Sequence, residues 1–248
     1  MKINSYYRQD SVPQGVDPNI FEKKLGAWIE TIAKGAIDRL IHNPSELDDN
    51  DTATLLTYIE LQRIRVPRQA TMAKQIMRSA ILRILPPDAA SSVRAGEVVL
   101  SIKDSMRFTY MAVSIGLLNP WLGCMEWEII AAEKGSAFIT TDSPVSFFHE
   151  KFLPPSEPGL ALAGTIVLFP LSSKHLLLMR HPEYSGTEPI SALTLLPEPP
   201  DEDGSISITH GIVWTTNMVT SVNWKLLQLA DHLIVGESRE VLEQCLAA

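Results

Sequence analysis

Cysteine is nearly absent from this chain: of 248 residues only Cys124 and Cys245 carry a thiol. Two cysteines so far apart make no disulfide framework and cannot alone build a zinc site, so the expectation is buried thiols in a reducing compartment. Long apolar runs are missing too. The stretches around Tyr110–Leu118 and Leu160–Leu171 fall short of the roughly 20 residues of a membrane span. The opening MKINSYYRQD has no apolar run, hence no secretory signal. Together these absences lead to an expectation of a cytoplasmic protein without a membrane partner. No G-x-S-x-G elbow, Walker loop or dinucleotide glycine fingerprint occurs. His175 and His181 lie six residues apart, which matches no common zinc pattern, and no metal ligand is assigned. His149 and His232 are isolated. The cofactor stays open. Finally, no Asp or Glu occurs between Leu61 and Pro87, although the whole chain has 29 acids against 21 Lys and Arg, a net charge of -8.

What is present suits a globular core: 45% of residues are hydrophobic and 20% charged. The first half reads as helices. Apolar residues from Phe21 to Leu40 recur at helical spacing over Ile20–Leu40, with Asp17 and Pro18 suited to its start. A second helix begins near Asp51 behind the acidic Asp48-Asp49-Asn50 and runs to Arg65, where Pro67 breaks it. A third covers Arg68–Leu85, with Met72, Ile76, Met77, Ala80, Ile81 and Ile84 as its buried stripe. A fourth spans Ala95–Leu118, with Val98, Ile102, Met106, Tyr110 and Val113 as its apolar line. Beyond residue 120 the period shortens. Met125–Ala131, Ala137–Thr140, Val145–His149, Thr165–Phe169 and His175–Arg180 read as strands. Ile206–Val213 is a further strand or the lead-in to a helix, Thr215–Leu229 a helix, His232–Val235 a last strand and Ser238–Leu246 a last helix. Helices followed by strands indicate α+β: a bundle of about four N-terminal helices on a mainly antiparallel sheet, with a C-terminal helix. Residues 1–120 form the helical region and 121–248 the β-rich region of one integrated domain.

Two polar motifs interrupt the apolar runs. The first is Gln62-Arg63-Ile64-Arg65-Val66-Pro67-Arg68. On a helical projection Tyr58, Gln62 and Arg65 share a line, so Gln62 sits at the edge of an apolar face, where a buried amide must find a partner. The second is Thr140-Thr141-Asp142-Ser143-Pro144 after the apolar Phe138-Ile139. Its aspartate suits an Asx-type turn, and equally a general base or an ion-pair partner of Arg65 or Arg68. Arg63, Arg65, Arg68, Lys74, Arg78 and Arg83 form a strip of cations without a local acid.

These motifs resemble a bacterial and fungal family of unknown function. Its members carry a Q-x-x-R-x-P-R-like helix segment, here Gln62–Arg68, and an F-I-T-S-D-N-P-V-like turn, here Phe138–Val145 with Ser143 in place of the asparagine. An F-P-L-S strand end corresponds to Phe169-Pro170-Leu171-Ser172, and a late helical asparagine to Asn217. The family's usual H-x-V-P-x-x-Y-L-x-x-F segment would precede this chain. If that segment supplies a catalytic histidine, the resemblance implies a truncated or inactive relative.

Three functional readings follow. In the first, a polar pocket between helical and β parts binds a phosphate or carboxylate. Asp142 and Arg65 are then the catalytic candidates, and Tyr58, Gln62, Arg68 and Ser143 bind the ligand, in a hydrolase or nuclease drawing on Glu60, Glu126 or Glu128 as further acids. In the second, the same residues are a structural clasp in a non-enzymatic interaction protein. In the third, nucleic acid binds along the basic third helix. Oligomeric state is not legible.

Overall fold

Proline and charge set the helix boundaries. The computed structural model describes residues 15, 17, 29–102, 106–152, 154, 156–184, 191–199 and 206–247. They fall into two compact units, Met1–Thr31 with Ile64–Ile115, and Ile32–Arg63 with Gly116–Ala248. Helix α1 covers Thr31–His42, and the part of the expected first helix before residue 29, with its start at Pro18, lies outside the described residues. Helix α2 spans Asp49–Ile64. The Asp48 carboxylate accepts the Asp51 N–H at 2.7 Å, so the acidic run caps the helix as its charge requires. Helix α3 spans Pro67–Ile84, with Val66 extended (φ -83°, ψ 153°) as a residue before proline must be.

Two expectations for the first unit need correction. Pro87, as a first-turn proline, opens a helix not expected there, α4 (Pro87–Arg94), which takes residues from the helix expected after it. Gly96, at φ +80°, then ends α4. The helix expected over Ala95–Leu118 is reduced to α5 (Met106–Ser114), and Val98 and Val113 are exposed rather than buried. The stripe expected on α3 is also displaced. Gln69 and Ala73 are its buried residues, whereas Ile76, Ala80 and Ile84 are exposed.

The second unit is built on a sheet. After the short α6 (Asn119–Gly123) come β1 (Glu126–Ala132), β2 (Thr140–Thr141), β3 (Ser146–Phe148), β4 (Ile166–Pro170), β5 (His175–Arg180), β6 (Ile208–Trp214), α7 (Thr216–Leu229), β7 (Ile234–Val235) and α8 (Arg239–Ala247). Five strands form one sheet in the order β3-β4-β5-β1-β6, and β2 pairs with β7. All neighbours are antiparallel except β1 and β6, which run parallel across a bulge between Glu128 and Ile130. The chain is therefore α+β with a mainly antiparallel sheet and a closing helix.

Alternation along the strands divides the core in two. Trp127, Ile129, Phe147, Val167, Phe169, Leu177 and Met179 face Ala36 and Leu40 of α1 and Leu55 and Ile59 of α2. Ile130, Phe148, Leu168, Leu176 and Leu178 face Val219, Val222, Leu226 and Leu229 of α7, with Val241 and Cys245 of α8. Strands β3, β4 and β5 are buried on both faces while the edge strand β6 is largely exposed, which explains the nearly unbroken apolar sequence of β5. Between α1 and α2, Arg39 Nε donates to Asp51 Oδ2 at 2.6 Å, and this bond holds the Asp51 carboxyl below its usual range. Cys245 is buried, but Cys124 is exposed, against expectation. Among the described residues no helix is long and apolar enough to cross a membrane.

Residues 137–139, expected as strand, are held by a side chain instead. Asn223 of α7, 3% exposed, accepts the Ile139 N–H at 3.0 Å and donates to the Ala137 carbonyl at 2.8 Å. An amide satisfies both groups in one plane, as a neighbouring strand would. Asn223→Ala strands a donor and an acceptor, at about 1–3 kcal/mol each. Chemical denaturation of this variant should show a loss of more than about 2 kcal/mol; an unchanged midpoint would show that the segment holds itself.

Candidate functional site

The end of α2 and the turn after β2 meet through Arg63. Leu55 and Ile59 are buried on successive turns of α2, and Arg63 is the next residue on that row. Its side chain is 6% exposed. A guanidinium taken from water must recover its interactions locally, and Arg63 does so from four directions. One nitrogen, Nη1, donates to Ser143 Oγ at 3.3 Å and to the Val145 carbonyl at 3.3 Å. The other, Nη2, pairs with the Glu157 carboxylate. The face of the group lies 4.4 Å from the Phe147 ring centroid, a cation–π contact.

The turn itself is cross-linked. Thr141 Oγ1 accepts the Ser143 N–H at 3.0 Å and donates to the Ser143 carbonyl at 3.0 Å; Ser146 Oγ donates to the same carbonyl at 2.7 Å. Asp142 points away from these bonds toward the chain leading into β7. Its Oδ1 accepts the Asp231 N–H at 3.0 Å, and its Oδ2 accepts the His232 N–H at 2.8 Å. Its own N–H donates to the Leu233 carbonyl at 3.1 Å. The aspartate therefore fastens β2 to β7 through three backbone bonds.

The other sequence candidates take separate places. Ser143 is buried, and its hydroxyl receives Arg63. Gln62 is also buried, with 4% of its surface exposed. Tyr58 packs its ring 6.1 Å from that of Phe169. These residues and Asp142 belong to the second unit, whereas Arg65 and Arg68 belong to the first. Arg65 Nη1 donates to Glu30 at 2.7 Å, and Arg68 is half-buried on the first turn of α3.

The three acids named as spares are engaged. Glu60 is fully buried and accepts the Gly116 and Leu118 N–H groups at 2.5 and 2.8 Å. Glu128 pairs with Arg180 at 2.5 Å, and Glu126 lies 3.8 Å from the same arginine. Among the described residues no three His, Cys, Asp or Glu side chains gather as a metal site would require.

Sequence reasoning singled out Arg65 and passed over Arg63, Glu157 and Asn223. The usable signal for Arg63 was its place one turn beyond Ile59. Asn217, matched to the family by its position on the late helix, is exposed on the first turn of α7, while Asn223 lies buried further along. Nothing in the local sequence of Glu157, between prolines, marks it as a partner of Arg63.

A family model described as a protein of unknown function, DUF4238, matches residues 2–223. The chain belongs to the DUF4238 family. The match spans nearly the whole chain, both units and both polar motifs included, so the clustered turn is part of the family's own domain. No curated protein and no solved structure matches the chain.

Two histidines of the second unit, His149 and His181, are buried in the fold. His149 accepts the Lys151 N–H on Nδ1 and donates from Nε2 to the Ala192 carbonyl, both at 3.0 Å. His181, 1% exposed, donates from Nε2 to the Leu160 carbonyl at 2.5 Å. Burial pushes its pKa down. Burial, with the neighbouring His42, does the same to His175.

Two outcomes follow. A depressed histidine pKa contributes stability that is present above the unfolded value, about 6.5, and is lost as pH falls through the folded value. The melting temperature should therefore fall on acidification from neutrality toward pH about 5, and His181→Phe should flatten that fall. Removing one member of a buried ion pair costs about 3–5 kcal/mol, whereas apolar replacement of both is often neutral. Arg63→Ala should then destabilise by that amount in urea, and Arg63→Met with Glu157→Leu should recover most of the loss.

Proposed function

We propose that this DUF4238 protein binds an anionic partner along the basic side of α3, and that its two polar motifs serve as the clasp that shapes the second unit. One observation carries the reading: the separation of charge. Residues 64–115 contain eight Lys and Arg against three Asp and Glu, a net +5, in a chain of net -8. In the second unit the motif charges are taken up by the fold. Asp142 receives two backbone N–H groups, and Arg63 receives Glu157.

Thr71, Lys74, Gln75 and Arg78, at helical spacing, line a groove of about 230 Å³ with Leu100 and Ile102. Arg78 donates to the Leu100 carbonyl at 3.0 Å, which fixes its stem while its remaining N–H groups are available in number to an anion. Arg78 and the exposed amide of Gln75 offer N–H donors in this groove, which match a phosphate or carboxylate ligand better than an apolar one. Coulombic attraction of this kind is screened by salt.

The rival use of the motif residues is phosphoryl chemistry by Asp142 and Arg65 on an anion held by Tyr58, Gln62, Arg68 and Ser143. The two readings part on stability. Under the clasp reading, Asp142→Ala lowers the melting temperature by about 3–8 °C, and a phosphodiester probe is turned over by neither wild type nor variant. Under the rival, Asp142→Asn abolishes turnover with melting unchanged. For the binding surface, affinity for labelled polyglutamate or oligo-dT should fall steeply with salt, and Arg78→Glu with Lys74→Glu should weaken it at least about tenfold. Affinity indifferent to both would remove α3 as the surface.

A further inference from the structure

We infer that residues 191–196 form a strap over residues 161–164, which His149 latches at neutral pH and releases on acidification.

Backbone hydrogen bonds, rather than apolar burial, hold the strap. The Gly164 N–H donates to the Ala192 carbonyl at 3.1 Å, the Ala163 N–H to the Thr194 carbonyl at 3.0 Å and the Leu196 N–H to the Ala161 carbonyl at 2.8 Å. Leu162 and Leu195 form an antiparallel bridge between the two stretches. The strap nevertheless turns its large side chains outward. Leu193 is 52% exposed and Leu195 72%, while Ala192 and Leu196 are half-buried. Opening it therefore costs little apolar burial, which marks a segment that can open locally. Gly164 sets how closely the strap can lie. A Cβ there would stand 2.6 Å from the Ala192 Cβ and 3.0 Å from His149 Nε2, so glycine alone admits both.

His149 joins the strap to the sheet. It directly follows β3, is 1% exposed and has a bond on each ring nitrogen. Nε2 donates to the same Ala192 carbonyl that receives Gly164, and Nδ1 accepts the Lys151 N–H, both at 3.0 Å. A ring that accepts on one nitrogen and donates from the other is neutral. A proton on Nδ1 would set N–H against N–H, and it would bury a charge whose two bonding partners include no carboxylate. The surroundings offer little compensation. Residues 159–165 and the strap carry no charged or titratable side chain. The Phe152 ring stands edge-on to the imidazole, 5.1 Å between centroids. In the turn itself Glu150 and Lys151 are exposed. Of the helices over β3, α2 brings Arg63, already paired with Glu157, and α7 brings Lys225, over Phe148. Once the strap lifts, the imidazole meets water and takes a proton as a free histidine does, at about pH 6.5. Docking is therefore complete above that value and weakens by up to about tenfold per pH unit below it.

The test is hydrogen exchange of the full chain, read by NMR as protection factors, which remove the pH dependence of exchange itself. The Ala163, Gly164 and Leu196 amides report the strap, and the amides of β4 and β5, each flanked by strands on both sides, report the sheet. From pH about 7.5 to pH about 5 the strap amides should lose at least about tenfold in protection while the sheet amides keep theirs. Gly164→Ala should release the strap at both pH values. His149→Phe, which has no donor for the Ala192 carbonyl, should lose protection at neutral pH and show no further loss in acid. His181→Phe should leave the loss in place, because His181 holds the Leu160 carbonyl rather than the strap. Strap amides that stay protected in acid, or that lose protection together with the sheet, overturn the inference. So does full protection in Gly164→Ala, and so does a pH effect that survives in His149→Phe or vanishes in His181→Phe.

Discussion

A buried guanidinium organises the second unit. Arg63 cannot be withdrawn from water without donors and charge being matched, because the desolvation cost of an isolated cation far exceeds what packing returns. The fold meets this demand with Ser143, the Val145 carbonyl, Glu157 and the face of Phe147. Those partners come from the turn before β3, from β3 and from the loop that follows it, so one side chain of α2 fixes where all three lie. Asp142, one residue before Ser143, turns the other way and ties β2 to the chain entering β7. Glu60, one turn before Arg63 on the same helix, holds the segment at Gly116. Each polar group pins a stretch of backbone that the apolar layers alone would leave free to slide.

In the first unit Arg68, Lys74, Arg78 and Arg83 lie on α3, where Ile76 and Ile84 are exposed. In the second unit both faces of the sheet are closed by helices, α1 and α2 on one side and α7 and α8 on the other. The second unit nevertheless leaves apolar side chains such as Val213, Trp224 and Leu246 exposed.

Much of the fold was legible beforehand. Strand β5 is read end to end, His175–Arg180, because an apolar run bounded by turn residues has few other solutions. The break between α2 and α3 was equally plain, since Val66 before Pro67 has no helical conformation open to it. The stripe on α3 was misread for a reason of principle: periodicity shows which residues share a face, but not whether anything lies against that face. Asn223 escaped notice because it stands among Val219, Val222 and Leu226, where the pattern calls for an apolar side chain. Only the position of the backbone at Ala137 and Ile139 makes an amide the better choice there.

The amino-acid sequence by itself determined most element types, the proline break between α2 and α3 and the segregation of cations into residues 64–115, since each depends on neighbours within a few positions along the chain. Tertiary structure alone decided that Arg63 meets Ser143 and Glu157, that Asp142 grips backbone, and that Ile76 and Ile84 stay in water. These are pairings across 80 and more residues, and no local preference encodes them. They arise when the chain closes and every buried polar group must find its partner among whatever the packing has brought near.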